Sequence, residues 1–214
     1  MTLTKRKALL AAVVAFLLTG LAVWFVATQT TKAESAPAGV AGVDSKCGLA
    51  GTLGEPTSIP AQWENSAGWF LPISATDGPG VRNPVASWSC FAHTQAGAVL
   101  AGYVISMRAS GLAEDWKTVV QEQTVPGIGQ AAKLRSTPPQ SSEAVSVRGF
   151  TVAAYSDDRA TIAYYLRTPT MEASCTADLR WFEGDWRLQL ADDGGTLTGC
   201  TPGVPASFVP WGPS

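Results

Sequence analysis

His93 is the only histidine of the chain, and histidine is the side chain best suited to acid–base chemistry near neutral pH. No nucleophile elbow and no paired carboxylate stands near it in the sequence, and the chain contains no GxSxG, GxGxxG, HExxH, SxxK or P-loop motif. A lone histidine just before a helix is more often structural than catalytic. We therefore predict that the protein has no catalytic residues and is not an enzyme.

Two acidic pairs could in principle bind a cation, Asp157-Asp158 and Asp192-Asp193. A calcium site needs several further oxygen ligands at defined spacing, and neither segment supplies them. Aspartate is favoured in turns, so we predict that both pairs are turns. Because zinc sites usually show close ligand pairs, we also predict no metal and no cofactor.

The four cysteines, Cys47, Cys90, Cys175 and Cys200, include no CxxC pair. An even number of cysteines in an exported domain favours two disulfides, for which three pairings are possible. We favour Cys47–Cys90, which would staple a Pro-rich loop, and Cys175–Cys200, whose second cysteine could fold back along the same sheet edge. The alternative is four unpaired, buried thiols.

Four segments with alternating side chains predict an antiparallel meander: Arg148–Tyr155, Arg159–Arg167, Ser174–Phe182 and Asp185–Leu190. Short segments suited to turns separate them.

The last two strands also predict their own register. Glu183-Gly184 suits a two-residue hairpin turn, which sets Trp181 opposite Trp186 and Leu179 opposite Leu188. In the same register Phe182 faces Asp185 and Ala177 faces Leu190. The large apolar residues then share one face, and a slip by one residue would destroy this agreement. The opposite face carries Asp178, Arg180, Arg187 and Gln189.

The apolar face of such a sheet needs a cover, which we expect from upstream helices. Thr94 is a plausible N-cap for a helix over Thr94–Ser110 that Gly111 can end. A second helix is predicted from near Leu112 to before Pro126, and a third, short one over Gly129–Leu134. Five aromatic residues would either fill the core or line a pocket between helix and sheet: Tyr103, Trp116, Tyr164, Trp181 and Trp186.

Ala8–Thr28 carries no charge and is long enough for a transmembrane helix, and Lys5, Arg6 and Lys7 precede it. This pattern predicts an uncleaved membrane anchor in contact with lipid, with a cytoplasmic N-terminus and an extracellular C-terminal domain. A cleaved signal peptide is the alternative. The predicted organisation is then an anchor over 1–29, a linker over 30–46, a Pro/Gly/Trp-rich arm over 47–90, an α+β domain over 91–200 and a Pro-rich tail over 201–214.

The charge of the chain argues against nucleic-acid binding. The chain holds 15 Lys and Arg against 17 Asp and Glu, and three of the basic residues precede the apolar segment. The remainder therefore has a net charge of about −5, without the basic cluster that phosphate neutralisation requires.

Helices followed by an antiparallel sheet predict an α+β fold. The segments FAHTQAGAVLAGYVISM, FTVAAYSDDRATIAYYL and CTADLRWFEGDWRLQL resemble the nuclear-transport-factor-2-like (cystatin-like) fold. This resemblance implies a cone of two or three helices on a curved four-stranded antiparallel sheet, after the transmembrane helix. The order of elements is similar to membrane-anchored extracellular domains of actinobacterial mobile elements and to assembly components of conjugative type IV secretion systems.

Two functions follow as hypotheses. The first is a non-enzymatic, bitopic envelope protein that acts as a scaffold or assembly component of a conjugal transfer machine, with other envelope proteins or itself as partners. The second is an exported small-ligand-binding or enzymatic domain that uses the pocket of the cone.

Overall fold

The structure is a computed structural model that describes residues 45–66, 68–137 and 145–213. Within these ranges no helix combines the length and the apolar composition that crossing a membrane requires. The prediction of a single-pass cell-membrane protein is therefore wrong on this finding. The predicted anchor itself, Ala8–Thr28, lies outside the described residues.

The Pro/Gly/Trp-rich arm contains four short strands that its sequence pattern does not indicate. β1 (Gln62–Ser66) and β2 (Trp69–Ile73) form one antiparallel ribbon, and β3 (Val81–Arg82) and β4 (Trp88–Ser89) form another. The side chains of Ile59, Leu71 and Trp88 enter the hydrophobic core. The arm therefore supplies both strands and core residues to the domain.

The first helix begins where its cap predicts. In α1 (Gln95–Met107) the Thr94 hydroxyl accepts the Gly97 N–H at 3.1 Å, as an N-cap does. A π-helical segment, Arg108–Leu112, continues the helix, and Gly111 has a φ of 111° inside it. This backbone conformation suits glycine and explains why the regular helix stops here.

Two shorter helices follow. α2 (Trp116–Gln123) begins after Asp115, whose carboxylate accepts the Thr118 N–H at 3.2 Å. Its start lies later than the predicted Leu112, because the π-helical segment and this cap occupy the intervening residues. α3 (Ile128–Arg135) includes the third predicted helix.

The main sheet contains all four predicted strands. They are β5 (Ser146–Tyr155), β6 (Arg159–Arg167), β7 (Glu172–Phe182) and β8 (Asp185–Gln189), and each pairs antiparallel with the next. The Glu183-Gly184 turn has φ angles of 51° and 77°, as a two-residue hairpin of this kind requires. The predicted register is confirmed at Leu179–Leu188, Trp181–Trp186 and Phe182–Asp185.

The predicted four-stranded sheet behind a transmembrane helix is nevertheless wrong as a fold class. β9 (Thr198–Pro202) pairs with β7, and β10 (Val209–Pro210) pairs with β5, so the main sheet has six strands. With the two ribbons, the described residues form ten strands and three α-helices. The additional strands have two to five residues and lie in Gly- and Pro-rich segments without an alternating pattern.

Helix α1 forms the centre of the core. All its residues except Gln95 are buried, and it contacts β5 to β8 on the main sheet as well as β2 and β4 of the arm. Burial on all sides explains why the helix is rich in Ala, Gly and Val. At Gly102 a Cβ atom would collide with the Tyr164 hydroxyl, so glycine permits the close approach of helix and sheet.

Both predicted disulfides are confirmed. Cys47 is bonded to Cys90 with 5.8 Å between their Cα atoms, and Cys175 is bonded to Cys200 with 4.1 Å. Disulfides of this kind are typical of an oxidising environment such as the cell exterior. The second bridge links β7 to β9 and so fixes a strand that the sequence pattern did not predict.

The C-terminal tail contributes the side chain of Trp211 to the core. This side chain is 6% exposed, and its indole N–H donates to the Ile59 carbonyl at 3.2 Å. Its ring lies 5.0 Å from Trp63 of the arm and 5.6 Å from Phe150 of β5, measured between centroids. Trp211 therefore fastens the arm to the main sheet.

Replacing this tryptophan tests the role of the tail. We expect Trp211→Ala to lower the free energy of unfolding by about 3–5 kcal/mol, because it removes a large buried ring and leaves a cavity. Chemical denaturation of the full chain measures the change. Val204→Ala is the matched control, since Val204 is 60% exposed in the same tail, and it should change stability by less than about 0.5 kcal/mol. Equal effects of the two substitutions would contradict the role of Trp211 in fastening the arm to the main sheet.

Candidate functional site

The predicted pocket residues Tyr103 and Tyr164 lie in the filled core between α1 and the sheet. Both are buried, their ring centroids are 5.8 Å apart, and the Tyr164 hydroxyl donates to the Val99 carbonyl at 2.6 Å. Burial raises the pKa of both phenols. Neither phenol is therefore suited to proton transfer near neutral pH.

Trp181 and Trp186 lie at the end of the same core, next to His93. Their rings are 5.3 Å apart, and the buried Trp186 donates its indole N–H to the Ala92 carbonyl at 3.0 Å. The His93 imidazole is stacked on Trp181 at 3.8 Å with an interplanar angle of 7°. Its Nε2 also contacts the Asp157 carbonyl. These contacts close the end of the core near the start of α1.

Trp116, the fifth predicted residue, belongs to the helical layer. It is 8% exposed and packs in the core, and the ammonium groups of Lys117 and Lys133 lie 5.7 Å from its ring centroid. The structure thus places all five aromatic residues in or against one packed core. No group of three potential metal ligands occurs in the part of the chain that the structure describes.

Asp185, at the start of β8, has a role that its sequence position does not suggest. Its carboxylate is buried and accepts the backbone N–H groups of Cys90 at 2.7 Å and Phe91 at 2.9 Å. Burial raises the pKa of Asp185, while these N–H groups and nearby Lys46 partly offset that effect. The carboxylate therefore joins the β7–β8 hairpin to the segment that leads into α1.

A cleft of about 280 Å³ opens beside this carboxylate, between β8 and the C-terminal end of α2. Its lining includes the cationic Lys46 and Arg187 and the acidic Glu122 and Asp185, and the Ser87 hydroxyl donates to Glu122. We call it the β8 cleft. Its lining residues are Lys46, Ser89, Gln121, Glu122, Gln123, Asp185, Trp186 and Arg187.

The strand register aligns three arginines on the face of the main sheet opposite α1. Arg159 of β6 is directly opposite Arg180 of β7, which is directly opposite Arg187 of β8. Side chains alternate between the two faces of a strand, and the neighbouring Ala160, Leu179 and Leu188 are buried against α1. We call these three residues the arginine row.

The two outer arginines of the row have acidic neighbours. The Arg159 guanidinium lies 3.4 Å from the Asp158 carboxylate, and Arg187 pairs with Glu183 and covers the Phe182 ring. Arg180 forms no ion pair within the described residues. The sequence pattern predicted that Arg180 and Arg187 lie on the outer face, but it did not identify Arg159. The position of Arg159 in the row follows only from the β6–β7 register.

Substituting Asp185 tests whether its hydrogen bonds to the arm stabilise the protein. We expect Asp185→Asn to lower the free energy of unfolding by about 1–3 kcal/mol at pH 7, because the asparagine NH₂ group cannot accept a backbone N–H. Asp192→Asn, at an exposed aspartate after β8, is the control and should be nearly neutral. Denaturant titration of the full chain measures both, and a neutral Asp185→Asn would contradict this role.

The buried carboxyl group of Asp185 should also make the stability of the protein depend on pH. Because the pKa of Asp185 is raised in the folded protein above its ordinary value of 3.8, the folded state retains this proton to a higher pH than the unfolded state. The additional stability from this more tightly held proton is present below that ordinary value and is lost as pH rises through the raised pKa, whereas the hydrogen bonds to the carboxylate persist. The stability advantage of the native chain over Asp185→Asn should therefore shrink from pH 3.5 to pH 7. An advantage that grows over this range would contradict the raised pKa.

Comparison with known proteins gives one family. No curated protein and no solved structure matches the chain significantly. A family model described as a domain of unknown function, DUF8175, matches residues 26–205, which is most of the 214-residue chain. The chain therefore belongs to the DUF8175 family.

Proposed function

We propose that this protein is a non-enzymatic scaffold or assembly component of an exported protein complex, of the conjugal-transfer, type IV secretion-like kind that its sequence resembles. One observation carries the proposal: the aromatic side chains between α1 and the main sheet fill the core. Tyr103, Tyr164 and Trp186 are each at most 1% exposed. These side chains therefore pack in the interior, and we assign partner binding to the surface of the domain.

The disulfides and the charge of the domain support the same proposal. Two disulfides join the termini of the arm and two strands of the main sheet, which makes a rigid domain suited to an oxidising environment. The net negative charge favours protein partners over nucleic acid, because an acidic domain repels a long chain of phosphates.

The alternative of an enzyme or small-ligand binder that uses the interior has weaker support. The buried tyrosine hydroxyl of Tyr164 is already bonded to a backbone carbonyl, and the imidazole of His93 is stacked on an indole ring. A catalytic site would instead bring a nucleophile or an acid–base pair to an accessible cleft. We therefore prefer the scaffold.

The proposal predicts that the native protein occurs in a complex. The full chain, with a C-terminal affinity tag, is purified without denaturant from cells that express it naturally, and its mass is measured by light scattering after size exclusion. We expect an assembly clearly heavier than the single chain of 22.3 kDa. An exported, disulfide-bonded reporter with the same tag sets the background.

A solitary monomer would contradict the proposal. The contradiction is complete if the chain stays monomeric both in the native extract and after concentration of the purified protein. Chemical cross-linking before extraction separates a complex that dissociates during purification from one that never formed.

A further inference from the structure

The arginine row places three positive charges side by side on one face of the main sheet. Neighbouring strands lie about 4.8 Å apart, so the three Cα atoms of Arg159, Arg180 and Arg187 span about 10 Å across β6, β7 and β8. Like charges directly opposite each other on paired strands destabilise a sheet. The fold itself therefore gives no reason for this arrangement.

Ion pairs in the described part of the chain join acidic residues only to the outer members of the row. Asp178 lies two residues before Arg180 on the same face, and its carboxylate accepts the Thr161 hydroxyl at 2.7 Å. Asp158 pairs with Arg159 and Glu183 pairs with Arg187, and both acids belong to turns that border the row. Arg180, between them, is half-buried and has no carboxylate partner within the described residues. Its planar guanidinium is suited to bind a carboxylate through two parallel hydrogen bonds.

The β8 cleft adjoins the arginine row at the edge of the sheet. Arg187 lines the cleft together with Lys46, whose backbone N–H donates to the Gly184 carbonyl at 2.9 Å. Arg187 therefore belongs to both features. Glu122 and Asp185 line the same cleft, so the positive surface ends at the arginine row.

We propose that the arginine row binds a short acidic segment of a partner protein, which lies across β6, β7 and β8 with two carboxylates over the row. The proposal rests on the function proposed above and names the chemistry of the partner. In an extended segment, side chains on one side recur about every 7 Å, so two carboxylates fit within the width of the row.

The surrounding charges limit the length of the partner. Asp157, Asp158, Asp178 and Glu183 flank the row, and the domain as a whole is acidic. A long polyanion such as nucleic acid would meet these carboxylates on either side. A short acidic peptide can contact the arginines without extending to the flanking carboxylates.

The probe is the peptide fluorescein-Gly-Glu-Gly-Glu-Gly-Glu-Gly-amide, labelled at its N-terminus, and its binding to the full chain is measured by fluorescence anisotropy. We expect saturable binding that weakens as salt is added, because the contact is electrostatic. The same peptide with Gln in place of Glu should not bind.

Two variants assign the binding to the row. Arg180→Gln should weaken binding of the peptide at least fivefold, while Arg148→Gln, at an exposed arginine of β5, should change it less than twofold. The thermal midpoint of Arg180→Gln should equal or exceed that of the native chain, because the substitution removes a like-charge contact. This readout shows that the weaker binding does not come from unfolding.

Three outcomes would overturn the inference. They are equal losses of peptide affinity in the two variants, no binding of the acidic peptide to the native chain, and tighter binding of a single-stranded oligonucleotide with the same number of charges. The first would indicate general charge attraction, and the last would identify nucleic acid as the preferred partner.

The native complex separates this inference from the proposed function. If Arg180→Gln leaves the complex intact at its full mass, the row is not the binding surface, yet the scaffold function stands. If the native chain forms no complex, the scaffold function fails, whatever the peptide does.

Discussion

The buried carboxylate of Asp185 is the interaction on which much of the domain depends. It accepts the N–H groups of Cys90 and Phe91, and so determines where the arm crosses the β7–β8 hairpin. Cys90 has a φ of 78°, in the left-handed region that is unfavourable for a residue with a side chain. The two hydrogen bonds and the disulfide to Cys47 together hold this conformation. Helix α1 starts only a few residues later, so the same contacts also place the helix.

Several further contacts gather around this point. Trp186, next in sequence to Asp185, donates to the Ala92 carbonyl, and the Ser45 hydroxyl donates to the Phe91 carbonyl at 3.0 Å. The backbone at Cys90–Ala92 is thus bonded from both sides by residues distant in sequence. Because buried backbone groups rarely stay unpaired, this segment could not be moved without losing several hydrogen bonds together. The arm is therefore an integral part of the core.

The features that could be predicted from the sequence were local or were strongly patterned. The β7–β8 register follows from alternation around a two-residue turn, and the Thr94 cap follows from one side chain and the helix after it. Strands β9 and β10 could not be found in this way, because each has few residues and its partner is distant in the chain. The role of Asp185 could likewise not be predicted, because no sequence pattern indicates that an aspartate at the start of a strand is a buried hydrogen-bond acceptor.

The candidate surface shows the same division between local pattern and long-range contact. Alternation alone directs Arg180 and Arg187 away from the core, but only the pairing of β6 with β7 adds Arg159 to the row. Arg187 lies two residues after Asp185 on a hairpin that the buried carboxylate ties to the arm. A surface held in this way loses little conformational freedom when it binds, and preorganisation of that kind favours affinity. The contact that stabilises the fold thus also fixes one end of the surface proposed to bind a partner.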